Sequence, residues 1–435
     1  MTEYTVLGKR LPRVDAQDKA TGRAMYSGDI SLPNMLYGKV LRSPYAHAKI
    51  RKLDVSKAKA LKGVMAVITA EDVPEQKEKS SPKSPRLARE KVLYAGQPIA
   101  AVAAINLDIA VEAVSLIEVD YEELPPVMDA FEAMKPDAVL IFPDVYTNLQ
   151  VLGQTGKTTT PSNITWQVEI GSGDIEAGFK GAYVVLENIF HTQAVHQGYL
   201  EPRSALAAVD PRRKVTIWTD SHGAFGVRDV CADFLNIPIS HIKVMPVEVG
   251  GSFGAKQFHP LAPIAALLAL KTGRPVKIVM TREEDFVATS PAPASIITLK
   301  MGVDKEGNIT AAAVSVVCDI GAFNRQVGDS LGSTIQELSL YRIPNLSIKV
   351  FNVITNKAPT GPYRAPNAAD AAFAVESQMD LLARALQMDP IDFRLKNAVA
   401  EGDRVITNPP FSRIGFTEAL LKMKDYLNRR DKPEG

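Results

Sequence analysis

Residues 250–257 read GGSFGAKQ, three glycines within five positions closed by a lysine, between an apolar run and an alanine- and leucine-rich stretch. A loop of this kind suggests a phosphate cradle, but the spacing refuses it. A Walker loop needs four residues between its first glycine and a Gly-Lys-Ser/Thr ending, so that backbone amides wrap the phosphate and a hydroxyl reaches the metal. Here Lys256 follows Ala255, and Gln257 offers no hydroxyl. The dinucleotide fingerprint GxGxxG fails as well, because the glycines fall at Gly250, Gly251 and Gly254. Three glycines still let backbone approach a ligand closely, and free amides ahead of a helix favour anions. Phe253 is the exception in this stripped loop. It is either a plug into the core or one wall of a pocket for a planar ligand.

Two further stretches accompany it. TGPYRAPN at Thr360–Asn367 stiffens Arg364 between Pro362 and Pro366, directly ahead of a long helical pattern. HTQAVHQGYLE at His191–Glu201 holds two histidines five apart, which share no helix face and make a His–His metal pair a poor expectation. Its glutamines and carboxylate have a simpler use, satisfying buried backbone.

Outward from these loops, strand-like runs fall near Met35–Leu41 and at Ile50–Lys57, Val64–Thr69, Pro98–Ala104 and Ile117–Tyr121, with Ile109–Ser115 read as the end of an amphipathic helix. Later strands are expected at Tyr183–Phe190, Ser204–Val209, Val215–Thr219, Ile242–Pro246, Val276–Met280, Ile296–Gly302, Ile309–Cys318 and Ile348–Val353. Helices are expected at Ala224–Leu235, at Leu261–Lys271 ahead of Gly273 and Pro275, and at Ala368–Met388. In the last, Val375, Met379, Leu382 and Leu386 fall on one face, the stripe of a core-packed helix. The Pro-, Gly- and Thr-rich stretch Pro125–Ile164 reads as a surface connection.

At 435 residues two or three compact units are expected, and 46% apolar against 23% charged residues is a globular composition. A formal charge of +1 gives no electrostatic reason for nucleic acid or an anionic membrane. Cys231 and Cys318 lie far apart without metal-ligand spacing, which fits a reducing, cytoplasmic compartment and no zinc or iron–sulfur site of the chain's own. No apolar leader opens the chain, and membrane insertion is not expected.

Together GGSFGAK, YLEP at Tyr199–Pro202, PYRAP at Pro362–Pro366 and MDPIDFRLKNAVAEGD at Met388–Asp403 resemble the molybdenum-binding subunit of the xanthine dehydrogenase and aldehyde oxidase family. LRSPYAHAKI at Leu41–Ile50, YAGQPIAAVAA at Tyr94–Ala104 and VDYEELPPV at Val119–Val127 resemble its α/β-hammerhead domain, in the same order. The resemblance implies an α+β chain: a tail over 1–19, a hammerhead domain over 20–128, a connecting segment over 129–165, and the first half of a molybdenum-cofactor-binding domain over 166–435. It implies a buried molybdopterin, usually the cytosine dinucleotide form in bacteria, with [2Fe–2S] clusters and FAD on partner subunits. The family's reaction places a water-derived oxygen on an electron-poor carbon of a small molecule such as an N-heterocycle or aldehyde. Some relatives act on carbon monoxide or reduce aromatic acyl-CoA rings.

By the same resemblance Gly250, Gly251, Phe253, Gly254 and Arg364 contact the cofactor, with Phe253 and Arg364 near the metal though not its ligands. Gln257 and Pro366 fall where xanthine-oxidising relatives carry a substrate-facing glutamate and phenylalanine. A neutral glutamine is no charged partner and proline does not stack as phenylalanine does, and Gly332 stands where purine oxidisers place an arginine, so xanthine is not the expected substrate. Val195 takes the register of the glutamine beside the apical metal ligand, with Gln193 and Gln197 two residues to either side.

Single-chain relatives continue for hundreds of residues that carry the catalytic glutamate base. No catalytic residue is therefore expected on this chain. The base is expected on a second molybdopterin-binding subunit, as in the split large and medium chains of nicotinate dehydrogenase, across an interface larger than the usual 1,600 Å² or so. From a different class, a non-catalytic nucleotide- or cofactor-binding module would use the same loop as an anion cradle.

Overall fold

The computed structural model describes residues 4–74, 86–323, 330–403 and 409–430, so the first three residues and the charged end of the chain lie outside them. Two seven-stranded sheets organise these residues. The first runs, edge to edge, Ile242–Met245, Val215–Thr219, Ser204–Val209, Val276–Val279, Leu36–Arg42, Pro98–Ala104 and Val64–Ile68. It is one sheet made from both sides of the expected 128/166 boundary, joined where Leu36 pairs with Val276 and Gly38 with Ile278 in parallel register. Pro98–Ala104 is buried at every position, as its unbroken apolar run PIAAVAA demands of a strand covered on both faces. A three-stranded sheet of Lys91–Val92, Ala48–Asp54 and Glu118–Glu123 completes the N-terminal part.

The second sheet runs Val184–His191, Ala294–Val303, Ile309–Gly321, Leu346–Ile354, Ile164–Ser172, Tyr146–Val151 and Gln154–Pro161. Its last two strands lie within 129–165, which the sequence presented as a connection. They form an edge hairpin that turns at Leu152 and Gly153, both at positive φ. The outer strand, QTGKTTTP, is exposed at most positions and so lacks the apolar alternation that announces a strand.

Each sheet has its own core. Val227, Cys231, Leu268, Val276, Leu36 and Ala101 belong to one, and Leu299, Val316, Ile348, Val375 and Met379 to the other. The helix Ala262–Thr272 is buried from Ala262 through Ala269, which accounts for a sequence that is apolar all round. It ends at Gly273 in the left-handed conformation, as read from the sequence. In Ala368–Ala385 the stripe residues Val375, Met379 and Leu382 are buried, and the helix stops short of Met388 because Gln387 turns to φ +55°.

Candidate functional site

The two rigid loops meet. The Arg364 amide donates to the Phe253 carbonyl at 2.8 Å, and Gly361 N–H donates to Pro291. Non-glycine residues are held at positive φ at Phe253, Ala365 and Asn367, a concentration of strained backbone of the kind found where geometry is over-determined. Phe253 is 47% exposed, which decides between the two readings of its ring: it is not a core plug.

The glycines answer first to the chain itself. At Gly254, φ +112°, a Cβ would lie 2.4 Å from the Pro362 carbonyl oxygen, and at Gly250 a Cβ would lie 2.5 Å from Cβ of Glu201. Gly251 sits at φ +91° beside Tyr199. Packing against Glu201 and Pro362 thus requires glycine at two of these positions, and the positive φ favours it at the third, before any ligand is considered.

The loops are held by a segment that sequence reasoning left as backbone satisfaction. Along 197–203 the alternate residues Gln197, Tyr199, Glu201 and Arg203 are buried or nearly so, while Gly198 and Leu200 are exposed. Gln197 Nε2 donates to Ser290 O at 2.9 Å and Pro362 O at 3.0 Å. Two carbonyl acceptors fix which end of that amide is nitrogen, and Oε1 is left buried without a hydrogen-bond partner. Gln197 therefore has no donor to spare for a cofactor oxygen, whereas Gln193 is exposed. Tyr199 donates its hydroxyl to Asp285 at 2.9 Å, and burial with the Asp285 charge pushes the phenol far up. Burial likewise raises the Asp285 carboxyl despite its hydrogen bonds. His196, 3.7 Å from Asp285, is lowered by burial and so stays neutral at physiological pH. The period-two pattern QxYxExR was the signal that could have found this clamp.

Beneath the first loop Lys256 is fully buried, 2.6 Å from Glu201 and 3.2 Å from Asp220, and Asp220 pairs with Arg203 at 2.8 Å. Gln257 is exposed and opens on a cavity of about 240 Å³ together with Arg86, Asp233, Phe234 and His259. Pro366 does not line that cavity; its carbonyl accepts from Ser333. The two residues read as substrate-facing are thus not brought onto one wall by the described chain.

Among the described residues the Arg364 guanidinium is exposed without a hydrogen-bond or ion-pair partner, and the Gly254 amide finds no acceptor. Unspent donors beside an exposed aromatic ring suit a planar, oxyanion-bearing cofactor. No group of three His, Cys, Asp or Glu side chains is placed to hold a metal ion among the described residues, so a metal here would have to bring its own ligands. Among the described residues no helix is long and apolar enough to cross a membrane.

Two known domain families match this arrangement, one on each side of the joined sheet. The model for the aldehyde oxidase and xanthine dehydrogenase a/b hammerhead domain matches residues 21–125, and that for the molybdopterin cofactor-binding domain matches 157–398. The chain belongs to the xanthine dehydrogenase and aldehyde oxidase family, as a molybdopterin-binding oxidoreductase chain. It is 35% identical to a probable xanthine dehydrogenase subunit of Bacillus subtilis, over 96% of this chain and 54% of that one. It is 31% identical to the nicotinate dehydrogenase large molybdopterin subunit of Eubacterium barkeri, over 97% of this chain and 96% of that one. Among solved structures, CO dehydrogenase from Oligotropha carboxidovorans superposes with a TM-score of 0.84 at 30% identity, covering 98% of this chain and 55% of that one. Quinoline 2-oxidoreductase from Pseudomonas putida gives 0.85 at 27% identity, covering 97% and 54%. The chain thus spans about half the length of most of these relatives and nearly all of one.

Proposed function

We propose that this chain forms one side of a split molybdopterin site, in a cytoplasmic multi-subunit enzyme that oxidises an N-heterocycle, aldehyde or related electron-poor carbon with water as the oxygen source. The observation that carries the reading is the joined pair of loops, with Phe253 exposed and Arg364 and the Gly254 amide unspent. The near-complete coverage of a relative named as a large molybdopterin subunit supports the division of the site between chains. When bound, the cofactor supplies the two-electron oxidation. Phe253 would wall its plane, Gly254 N–H and Arg364 would donate to its oxygens, and Gly250 and Gly251 would set the loop's approach. Gln257 and Pro366 would shape the substrate side.

The catalytic base, the rest of the cradle, the [2Fe–2S] clusters and FAD are assigned to partner subunits, and the dinucleotide form of the cofactor to cytosine. Large exposed apolar side chains such as Leu200, 88% exposed, Phe225 and Phe286 favour a broad partner interface. Two buried free cysteines suit a reducing compartment. The test is metal analysis of the complex isolated with its co-purifying subunits, and turnover of N-heterocycles and aldehydes in isotopically labelled water. Molybdenum near one per assembly and labelled product support the reading. An assembly without molybdenum, or product oxygen taken from dioxygen, rejects it.

A further inference from the structure

The carboxylate of Glu201, in the YLEP stretch, lies outside both loops, yet it touches the first loop at both ends. Its Oε2 accepts from the Gly250 amide at 2.7 Å and from Lys256 Nζ at 2.6 Å. Its own backbone N–H donates to Gly250 O at 3.1 Å, so Gly250 is gripped by main chain and side chain together. Oε1 is buried without a hydrogen-bond partner, and the bonding of the carboxylate therefore runs through one oxygen shared by the two loop ends. Between those contacts lie Ser252, whose hydroxyl accepts from the Lys256 amide at 3.0 Å, and the exposed Phe253.

Lys256 cannot reach solvent, so its charge must be met inside. Asp220 lies farther from it than Glu201 and already pairs with Arg203. The Lys256 ammonium also lies 4.9 Å from the centre of the Tyr199 ring, on the same clamp segment. Removing the Glu201 charge leaves two cations, Lys256 and Arg203, facing the one carboxylate of Asp220 in a closed space.

We propose that Glu201 is the positioning residue of the Gly250–Lys256 loop, fixing where Phe253 and Gly254 stand by holding the Gly250 amide and the Lys256 ammonium on one oxygen. This concerns the chain's own loop and stands whether or not the loop meets a molybdopterin. Glu201→Gln keeps an acceptor for the Gly250 amide but withdraws the charge from Lys256. Adding Lys256→Met removes the stranded cation and leaves Asp220 with Arg203.

The experiment is amide hydrogen exchange on the full chain, with whatever subunits co-purify, in the wild type, Glu201→Gln and Glu201→Gln/Lys256→Met. We expect at least tenfold faster exchange over residues 250–256 in the single variant, with the core strand Ile309–Gly321 unchanged, and exchange still at least fivefold faster than wild type in the double variant, where the stranded cation is gone but so is the hold on Lys256. Two outcomes overturn the proposal: an unchanged loop in Glu201→Gln, or a double variant restored to wild-type exchange, which would trace the loosening to the unpaired charge alone. If the single variant loosens the core strand as much as the loop, Glu201 is a general stabiliser and the proposal also fails. Loss of molybdenum in all three proteins would count against the functional reading and leave this one standing.

Discussion

Gly254→Ala probes the joint between the loops. The new Cβ would lie 2.4 Å from Pro362 O and 2.8 Å from Pro362 C, where contacts under 3.0 Å essentially do not occur, so the loops must part by about 0.6 Å. Both offending atoms are backbone, and no side-chain rotation relieves them. The φ of +112° adds about 1–2 kcal/mol for any L-residue. Parting the loops sacrifices the Arg364–Phe253 hydrogen bond, about 0.5–1.5 kcal/mol. The sum is about 2–3 kcal/mol. With an unfolding entropy of about 2.1 cal/mol/K per residue over 435 residues, that shifts the melting temperature by about 2–3 °C. Two controls separate the causes. Gly153 has φ +84° with nothing within 4 Å of its Cβ, so Gly153→Ala isolates the backbone cost, about 1–2 °C. Gly156, exposed on the edge strand, has neither constraint, and Gly156→Ala should melt no lower than the wild type. Calorimetry reads the shifts, and amide exchange at Arg364 reads the joint, with at least a tenfold rise expected in Gly254→Ala alone. A Gly254→Ala chain that melts with Gly153→Ala and keeps its Arg364 amide protected refutes the steric account.

Phe253→Ala and Arg364→Ala should lower molybdenum content several-fold, while Gln257→Ala keeps the metal and changes the ratio of kcat/KM between substrates; full occupancy and unchanged kinetics in all three would remove the site assignment. Gln197→Ala strands the carbonyls of Ser290 and Pro362, at a cost of about 1–3 kcal/mol, measured by equilibrium denaturation; a neutral result would show that those carbonyls find other donors. Burial lowers the His196 pKa, so the unfolded chain binds the proton more tightly, and the stability this contributes is present above about pH 6.5 and lost as pH falls below it. His222 is lowered in the same direction, by burial first and then by Arg203 and Lys256. Melting temperature should therefore decline on acidification through that window, and His196→Phe should flatten part of the decline; an unchanged slope in that variant would place the acid sensitivity elsewhere.

Much was legible in one dimension because it depends on neighbours along the chain. The end of Ala262–Thr272 at Gly273 follows from local backbone preference, and so does the strand Pro98–Ala104 with its unbroken apolar run. The hairpin across Tyr146–Pro161 was missed because its outer strand faces solvent, which leaves no alternation, and because Leu152 occupies a turn position more often held by asparagine or glycine. The clamp at 197–203 showed its period but not its purpose.

By itself, the sequence determined the family, the two loops and the residue types they present, since motifs and periods are properties of adjacent positions. Tertiary structure decided what those residues are for. It shows that Gly250 and Gly254 are demanded by Glu201 and Pro362 and Gly251 by its positive φ, that the donors of Gln197 are spent, that the Phe253 ring is exposed rather than a core plug and that one sheet runs through both parts of the chain. The decisive contacts join residues 49 positions apart, Gly250 to Glu201, and 165 apart, Gln197 to Pro362. Closing such distances is the work of the whole core, and no local pattern encodes it.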